Sequence, residues 1–206
     1  MSNPQSLAPS PQSLNILVLV SGGGSNLQAL IDAQAAGALN GAEIAAVISD
    51  REGVFALERA RAAGIPAFEL QRGQELSDQI LGVCREKEIG LVVLAGFLSI
   101  LSGLILQEYS GRIINLHPAL LPKFGGDGMY GKHVHRAVLA AGETESGCTV
   151  HLVDAGTDTG PILLQRRVPV LPGDTPESLA QRIHKEEHIA IVEAVGMMVG
   201  GLCFSR

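Results

Sequence analysis

Three observations predict an α/β fold, a doubly wound and mostly parallel sheet with helices on both faces. Short apolar runs alternate with stretches of helical periodicity along most of the chain. The first apolar run ends in a glycine-rich turn that opens a helix, the usual start of a doubly wound domain. Of the 206 residues 46% are hydrophobic and only 3% aromatic, with no Trp, so the core is built from Leu, Ile, Val and Ala, the palette of helices packed on parallel strands.

The elements follow in order. Residues 14–20 form a short apolar strand that runs into Ser21-Gly22-Gly23-Gly24-Ser25-Asn26. The next helix sets Leu27, Leu30, Ile31 and Ala35 on one face and stops at Gly37. A second strand covers residues 43–49, a helix runs from 55 to 63 and closes at Gly64, and residues 65–70 form a third strand. A helix over 75–87 leads into residues 89–95, the clearest buried strand in the sequence. A helix near 102–109 precedes a strand at 112–116 that meets His117-Pro118. The loop 121–131 holds Pro122 and four glycines, and a loop that long inside a compact domain is more often functional than idle. A helix over 133–141, strands at 148–153 and 162–170, and a final helix running toward Gly200 complete the order. Thr175 caps that last helix, with Pro176 at its first position and Glu177 in its first turn. With neither repeats nor an internal linker, residues 14–206 read as one domain behind a tail, 1–13, rich in Pro, Ser and Gln.

Composition excludes several classes. A net charge of −6 argues against a nucleic-acid surface, where affinity comes from clustered Lys and Arg. Cys84, Cys148 and Cys203 are isolated thiols without a C-x-x-C pair, so neither a disulfide nor a zinc site is expected. The tail lacks the basic start and apolar stretch of a signal peptide, and no apolar run is long enough to span a membrane. A cytoplasmic location is the expectation.

Three loops carry chemistry. Glycines between a strand and a helix start let the backbone approach an anion, and the helix N-terminus offers unpaired N–H groups. The turn at 21–26 is neither G-x-G-x-x-G nor a Walker pattern, so a single phosphomonoester suits it, although Asp50 could pass for the acid that a dinucleotide fold places after its second strand. The other reading is an ordinary tight strand-to-helix turn. In Asn115-Leu116-His117-Pro118, alternation along a strand turns Asn115 and His117 to one face. An amide donor beside an imidazole suits a carbonyl that becomes an oxyanion, while a strand-end His is about as often just a satisfied polar residue. Asp158, flanked by Gly156 and Gly160, would favour the imidazolium of a nearby His117, or else simply form a turn. His133 and His135 lie i, i+2 apart on a helix, without a carboxylate cluster, and read as surface or loop-anchoring histidines rather than metal ligands. His184, Glu187 and His188 share a helix face, either solvated or facing a substrate hydroxyl.

Taken together, Ser21 to Asn26, Leu94-Ala95-Gly96-Phe97, Asn115-Leu116-His117-Pro118-Ala119-Leu120-Leu121-Pro122, residues 154–161 and His184 to His188 resemble the phosphoribosylglycinamide formyltransferases. The resemblance runs from Leu14 to the final helix, with the motifs in the family's order. It implies formyl transfer from 10-formyltetrahydrofolate to glycinamide ribonucleotide in purine biosynthesis, with no metal and with Asn115, His117 and Asp158 as the catalytic trio. It further implies that Gly24, Ser25 and Asn26 hold the phosphate and Glu187 the ribose. Phe97, Leu98, Ile100 and Leu101 would face the folate, with the pterin near Asp154, Ala155, Gly156 and Thr157. The phosphate then belongs to the N-terminal half of the domain and the folate to the C-terminal half. Lys123 resembles a position near the substrate, and His151 would support the site from behind. Ser99 stands where relatives commonly carry Arg, and Ala119 where they carry Ser, while residues 124–135 resemble a longer form of the loop. Formyltetrahydrofolate hydrolases and methionyl-tRNA formyltransferases share a similar trio, and a nucleotide-binding sensor is the non-enzymatic alternative. The first two usually carry an extra regulatory or basic domain. A homodimer is left open.

Overall fold

Alternation along the first strand divides the core in two. In the computed structural model, which describes residues 13–203, β1 (Asn15–Val20) sends Ile16, Val18 and Val20 to one face and Leu17 and Leu19 to the other, all fully buried. The expected tail lies outside the described residues except for its last position. The chain continues through α1 (Ser25–Ala35), β2 (Glu43–Ser49), α2 (Phe55–Ala62), β3 (Ala67–Glu69), α3 (Leu76–Glu86) and β4 (Ile89–Leu94). Then come α4 (Leu104–Glu108), β5 (Ile113–His117), α5 (Lys132–Ala140), β6 (Glu145–Leu152), β7 (Ile162–Pro169) and α6 (Pro176–Cys203).

The seven strands form one sheet in the order β3-β2-β1-β4-β5-β6-β7. Pairings from β3 through β5 are parallel, and β6 and β7 add antiparallel. Residues of α1, α2, α5 and α6 pack with the Ile16, Val18 and Val20 face. Leu76, Ile80, Leu81 and Cys84 of α3 and Ile105 of α4 pack with Leu17 and Leu19. Burying a Leu or Ile completely is worth roughly 1.5–3 kcal/mol, so two-sided coverage of a strand like β1 explains why it reads as an unbroken apolar run.

The expected elements are present, with four differences. On α1 the buried positions are Leu27, Leu30 and Ala33, and Ala35 is exposed, because the helix turns Ala33 and not Ala35 under the face that meets the sheet. β3 is only three residues long, since its partner strand ends at Ser49 and supplies no further register. α4 is a five-residue helix entered through Gly103, whose φ of 76° delays its start. β6 begins at Glu145, three residues before the expected start. Its polar opening pairs with β7 from Glu145 opposite Pro169 onward, and Gly147 is required there because a Cβ would run into the Arg166 carbonyl.

The site-forming consequence is topological. After β1 the chain builds β2 and β3 on one side, then returns to place β4 and β5 on the other. The connections leaving β1 and β4 therefore diverge and open a crevice at their carboxyl ends, the switch point at which such sheets bind ligands. β5 ends beside it at His117.

Candidate active site

A cavity of about 700 Å³ occupies that crevice, within the range of small-molecule sites. Its lining includes residues 22–26 after β1, residues 94–101 after β4, Asn115 and His117 of β5, the loop 126–131, Asp154 and Gly156 to Asp158, and Glu187 of α6.

The turn after β1 is shaped for an anion. Gly24 precedes α1 with φ 72° and ψ 34°, and a Cβ there would meet Ala56 Cβ at 2.7 Å, so glycine is required by conformation and by space. The turn is braced from α2, where Arg59 Nε donates to the Gly23 carbonyl at 2.9 Å and the Ala56 N–H to the Gly22 carbonyl at 3.1 Å. No side chain caps α1 and no acidic residue stands in its first turn, so its N-terminal N–H groups keep their attraction for an anion. Asn26 Nδ2 donates to Glu187 Oε2 at 3.3 Å, joining the turn to the last helix.

Asn115 and His117 do share a face. Antiparallel pairing sets Asn115 opposite His151 and His117 opposite Thr149, and Asn115 Nδ2 lies 3.1 Å from His151 Nε2. His151 Nδ1 donates to the Leu152 carbonyl at 2.8 Å, which leaves Nε2 to accept from Asn115. A longer contact of 3.4 Å links Asn115 Nδ2 to Asp158 Oδ1. Asp158 Oδ2 faces His117 Nδ1 at 3.4 Å and accepts the Gly126 N–H at 3.0 Å. One carboxylate thus meets Asn115, His117, His151 and the glycine loop. Asp158 holds φ 59°, a left-handed conformation costly for most side chains but tolerated by Asp and Asn. Gly156 and Gly160 serve the same turn: a Cβ at either would strike Thr159 or the Leu152 carbonyl.

At His117 the Asp158 charge favours the imidazolium, as expected, and burial opposes it. Burial lowers the His117 pKa, and the net shift stays downward although Asp158 and the Phe124 carbonyl pull the other way. Asp158 therefore does not raise the imidazole above its ordinary value; it limits a fall caused by desolvation. His117 Nε2 donates to the Phe124 carbonyl at 2.8 Å, so both ring nitrogens are engaged. For Asp158 burial acts upward, but the neighbouring His151 and His117 imidazoles and the Gly126 N–H together hold the carboxyl below its ordinary value.

On the opposite wall Phe97 and Leu101 are buried, while Leu98 and Ile100 remain exposed and line the cavity. Asp154, Gly156 and Thr157 line it too; Ala155, exposed like both its neighbours, faces solvent outside the lining. The Asp154 carboxylate is used within the turn, accepting from Gly156 N–H at 3.0 Å and Thr159 Oγ1 at 2.6 Å. Thr157 Oγ1 donates to Asp127 at 3.2 Å, a second tie between this turn and the glycine loop. Lys123 points elsewhere: it pairs with Glu143 at 2.8 Å and is not in the lining.

Three further expectations change. Asp50 is no open acid for a ribose, since it is 3% exposed and both its oxygens are taken by Ser21, Ser99 and Arg72. Glu187 is not on a solvated face; it is 3% exposed and bonded to Asn26 and to His184 Nδ1 at 2.6 Å. That hydrogen bond, against partial burial, raises the His184 pKa. His135 is neither surface nor loop anchor. It is buried, lines the cavity, and its pKa is lowered by burial against the pull of Glu187. Its spacing from Val138 was the available signal, because i and i+3 share a helix face. Among the described residues no group of His, Cys, Asp or Glu is arranged to hold a metal.

The model of the formyl transferase family matches residues 14–195. The chain belongs to the formyl transferase family. Its formyl transferase relatives include the phosphoribosylglycinamide formyltransferase of Escherichia coli (strain K12), 42% identical over 180 residues, covering 85% of this chain and 82% of that protein. The trifunctional purine biosynthetic protein adenosine-3 of Drosophila pseudoobscura pseudoobscura is 48% identical over 194 residues, 90% of this chain. This formyl transferase chain spans only 14% of the length of that relative. Among solved structures, glycinamide ribonucleotide transformylase 1 from Symbiobacterium toebii superposes with a TM-score of 0.87 at 38% identity, covering 97% of this chain and 94% of that one.

Proposed function

We propose that this chain transfers the formyl group of 10-formyltetrahydrofolate to the amine of glycinamide ribonucleotide. The observation that carries the proposal is the Asn115, His117, Asp158 and His151 cluster in one cavity between an anion-binding turn and an apolar wall. The relatives named phosphoribosylglycinamide formyltransferase and trifunctional purine biosynthetic protein support the choice of substrates.

In this reading the phosphate sits on Gly24, Ser25 and Asn26, and Glu187 receives a ribose hydroxyl. The flat pteridine lies against Phe97, Leu98, Ile100 and Leu101, an apolar wall that fits it, with its polar edge toward the 154–158 turn. The amine attacks the formyl carbon, a carbon–nitrogen bond forms, and the carbonyl oxygen becomes an oxyanion. Asn115 Nδ2 has one hydrogen on His151 and a weaker, 3.4 Å contact to Asp158, and the second hydrogen is the one the oxyanion takes over. His117 adds a donor by exchanging the Phe124 carbonyl for that oxygen. The proton lost by the attacking amine passes through the His117–Asp158 pair to the folate nitrogen as its bond to carbon breaks.

The test is to mix the protein with 10-formyltetrahydrofolate, with and without glycinamide ribonucleotide, and follow folate absorbance. Turnover that requires the ribonucleotide is expected. Equal turnover without it would assign a hydrolase, and none in either mixture would leave a binding protein.

A further inference from the structure

Behind the cavity a second carboxylate is shared in the same manner as Asp158, and no step of the reaction uses it. Asp50 follows β2, and its side chain is fully shielded from solvent. Oδ1 accepts from Ser21 Oγ at 2.5 Å; Oδ2 accepts from Ser99 Oγ at 2.6 Å and from Arg72 Nε at 2.8 Å, with Arg72 Nη2 at 2.7 Å. Ser21 Oγ also accepts the Leu98 N–H at 2.8 Å, so this one hydroxyl links both loops directly. Burial opposes the charge on Asp50, but the three hydrogen-bonding partners and the Arg72 charge hold its carboxyl below the ordinary value, so it is ionised at neutral pH.

Position gives this network its meaning. Ser21 is the residue from which the anion-binding turn springs, and Leu98 and Ser99 belong to the apolar wall. Asp50 itself does not line the cavity. We propose that Asp50 is a positioning residue that locks the phosphate turn to the folate wall, so that each substrate binds more tightly when the other is present. The proposal rests on the two-substrate reading above. A ligand ordering residues 22–26 fixes Ser21, and through Ser21 and Asp50 it fixes Leu98 and Ser99 before the second ligand arrives. The second ligand then loses less freedom in ordering its own wall. Coupling between sites is reciprocal and commonly lies at roughly 5–150-fold in affinity, and an effect toward the lower end is expected from three hydrogen bonds.

The experiment is calorimetric titration of a formyl-free, unreactive folate analogue, with and without saturating glycinamide ribonucleotide. Wild type should bind the analogue several-fold more tightly with the ribonucleotide. Asp50→Asn retains the shape but turns an amide N–H₂ toward Arg72 and Ser99, and it should bring the two affinities together. Ser99→Ala removes one bond from an exposed loop and should lose part of the coupling with an unchanged melting temperature, so it carries the test if Asp50→Asn does not fold. A merely structural role would weaken both affinities and leave their ratio intact. Wild type that binds both ligands without coupling, or a folded Asp50→Asn or Ser99→Ala protein with the full ratio, overturns the proposal and leaves the transferase reading standing. Wild type that binds neither ligand overturns both.

Discussion

Replacing Asp158 by Asn is the sharpest probe of the proposed chemistry. Asn has the same shape and tolerates the φ of 59° that residue 158 adopts, so the backbone is not a confounding factor. What disappears is a charge whose Oδ2 lies 3.4 Å from His117 Nδ1 and whose Oδ1 lies 3.4 Å from His151 Nε2. With an effective dielectric of about 20, two unit charges at that separation interact by roughly 5 kcal/mol, an upper limit for a site lined partly by solvent. General acid–base groups contribute about 10²–10⁴ in rate, or roughly 2.7–5.4 kcal/mol, a range whose top reaches about that limit. Turnover by Asp158→Asn should therefore drop by about 10²–10⁴, with the KM for glycinamide ribonucleotide little changed because the turn proposed to hold the phosphate is a separate part of the lining from residue 158.

The pH profile of the same variant tests the sign. Burial already lowers the His117 pKa from its ordinary 6.5, and the Asp158 charge resists that fall. The imidazolium form is lost as pH rises through the folded pKa, and without Asp158 that pKa lies lower still. The decline in kcat/KM assigned to His117 should consequently move to lower pH in the variant. The assay is folate absorbance across a pH series, with circular dichroism to establish folding. Turnover within about tenfold of wild type, a difference of only 1.4 kcal/mol, or an unmoved pH limb, would refute the assignment of Asp158 to proton transfer.

Other outcomes follow from the same geometry. Gly24→Ala combines a left-handed φ with a Cβ 2.7 Å from Ala56 Cβ, and should cost about 1–3 kcal/mol of stability by thermal melting and raise the KM for the ribonucleotide. Ile100 is 68% exposed on the wall, so Ile100→Ser should change stability by less than about 0.5 kcal/mol while raising the KM for the folate donor. Cys84 and Cys148 are buried, with thiol pKa values pushed up to about 12 chiefly by burial. In a Cys203→Ser background both should resist alkylation at pH 8, followed by mass spectrometry, and react fully once the chain is unfolded. Asp50 and Asp158 have carboxyls held below their ordinary 3.8; their contribution to stability is complete above that value and is lost as pH falls through the lower folded values. Acid unfolding followed by circular dichroism should begin below about pH 4, and Asp50→Asn should flatten it.

Periodicity and turn chemistry made the fold legible, because both are local. The β1 run, the glycine turn and the α6 cap each announce themselves within a few residues. β6 was readable only from Cys148, since its first residues, Glu145 to Gly147, become a strand through antiparallel pairing with a distant segment. The same division runs through the site. Asn115 and His117 are two apart on a strand, so their common face follows from alternation alone. That His151 lies opposite Asn115 depends on the register between β5 and β6, which no local pattern encodes.

Charge was legible least of all, and for a physical reason. A carboxylate's role depends on which donors the fold brings to it from elsewhere in the chain. Asp50 looks from its position after β2 like a free ribose acceptor, yet residues 29 and 49 positions away along the chain saturate it. Asp158 looks like an activator of His117, yet desolvation of the imidazole outweighs its pull. In both cases burial and hydrogen bonding, set by long-range packing, decide what one formal charge does. The two carboxylates end in different positions because of it: Asp158 meets the groups that line the cavity, whereas Asp50 grips the loops from outside the lining. Substitution of the first should then register in the chemical step, and substitution of the second in how each substrate changes the binding of the other.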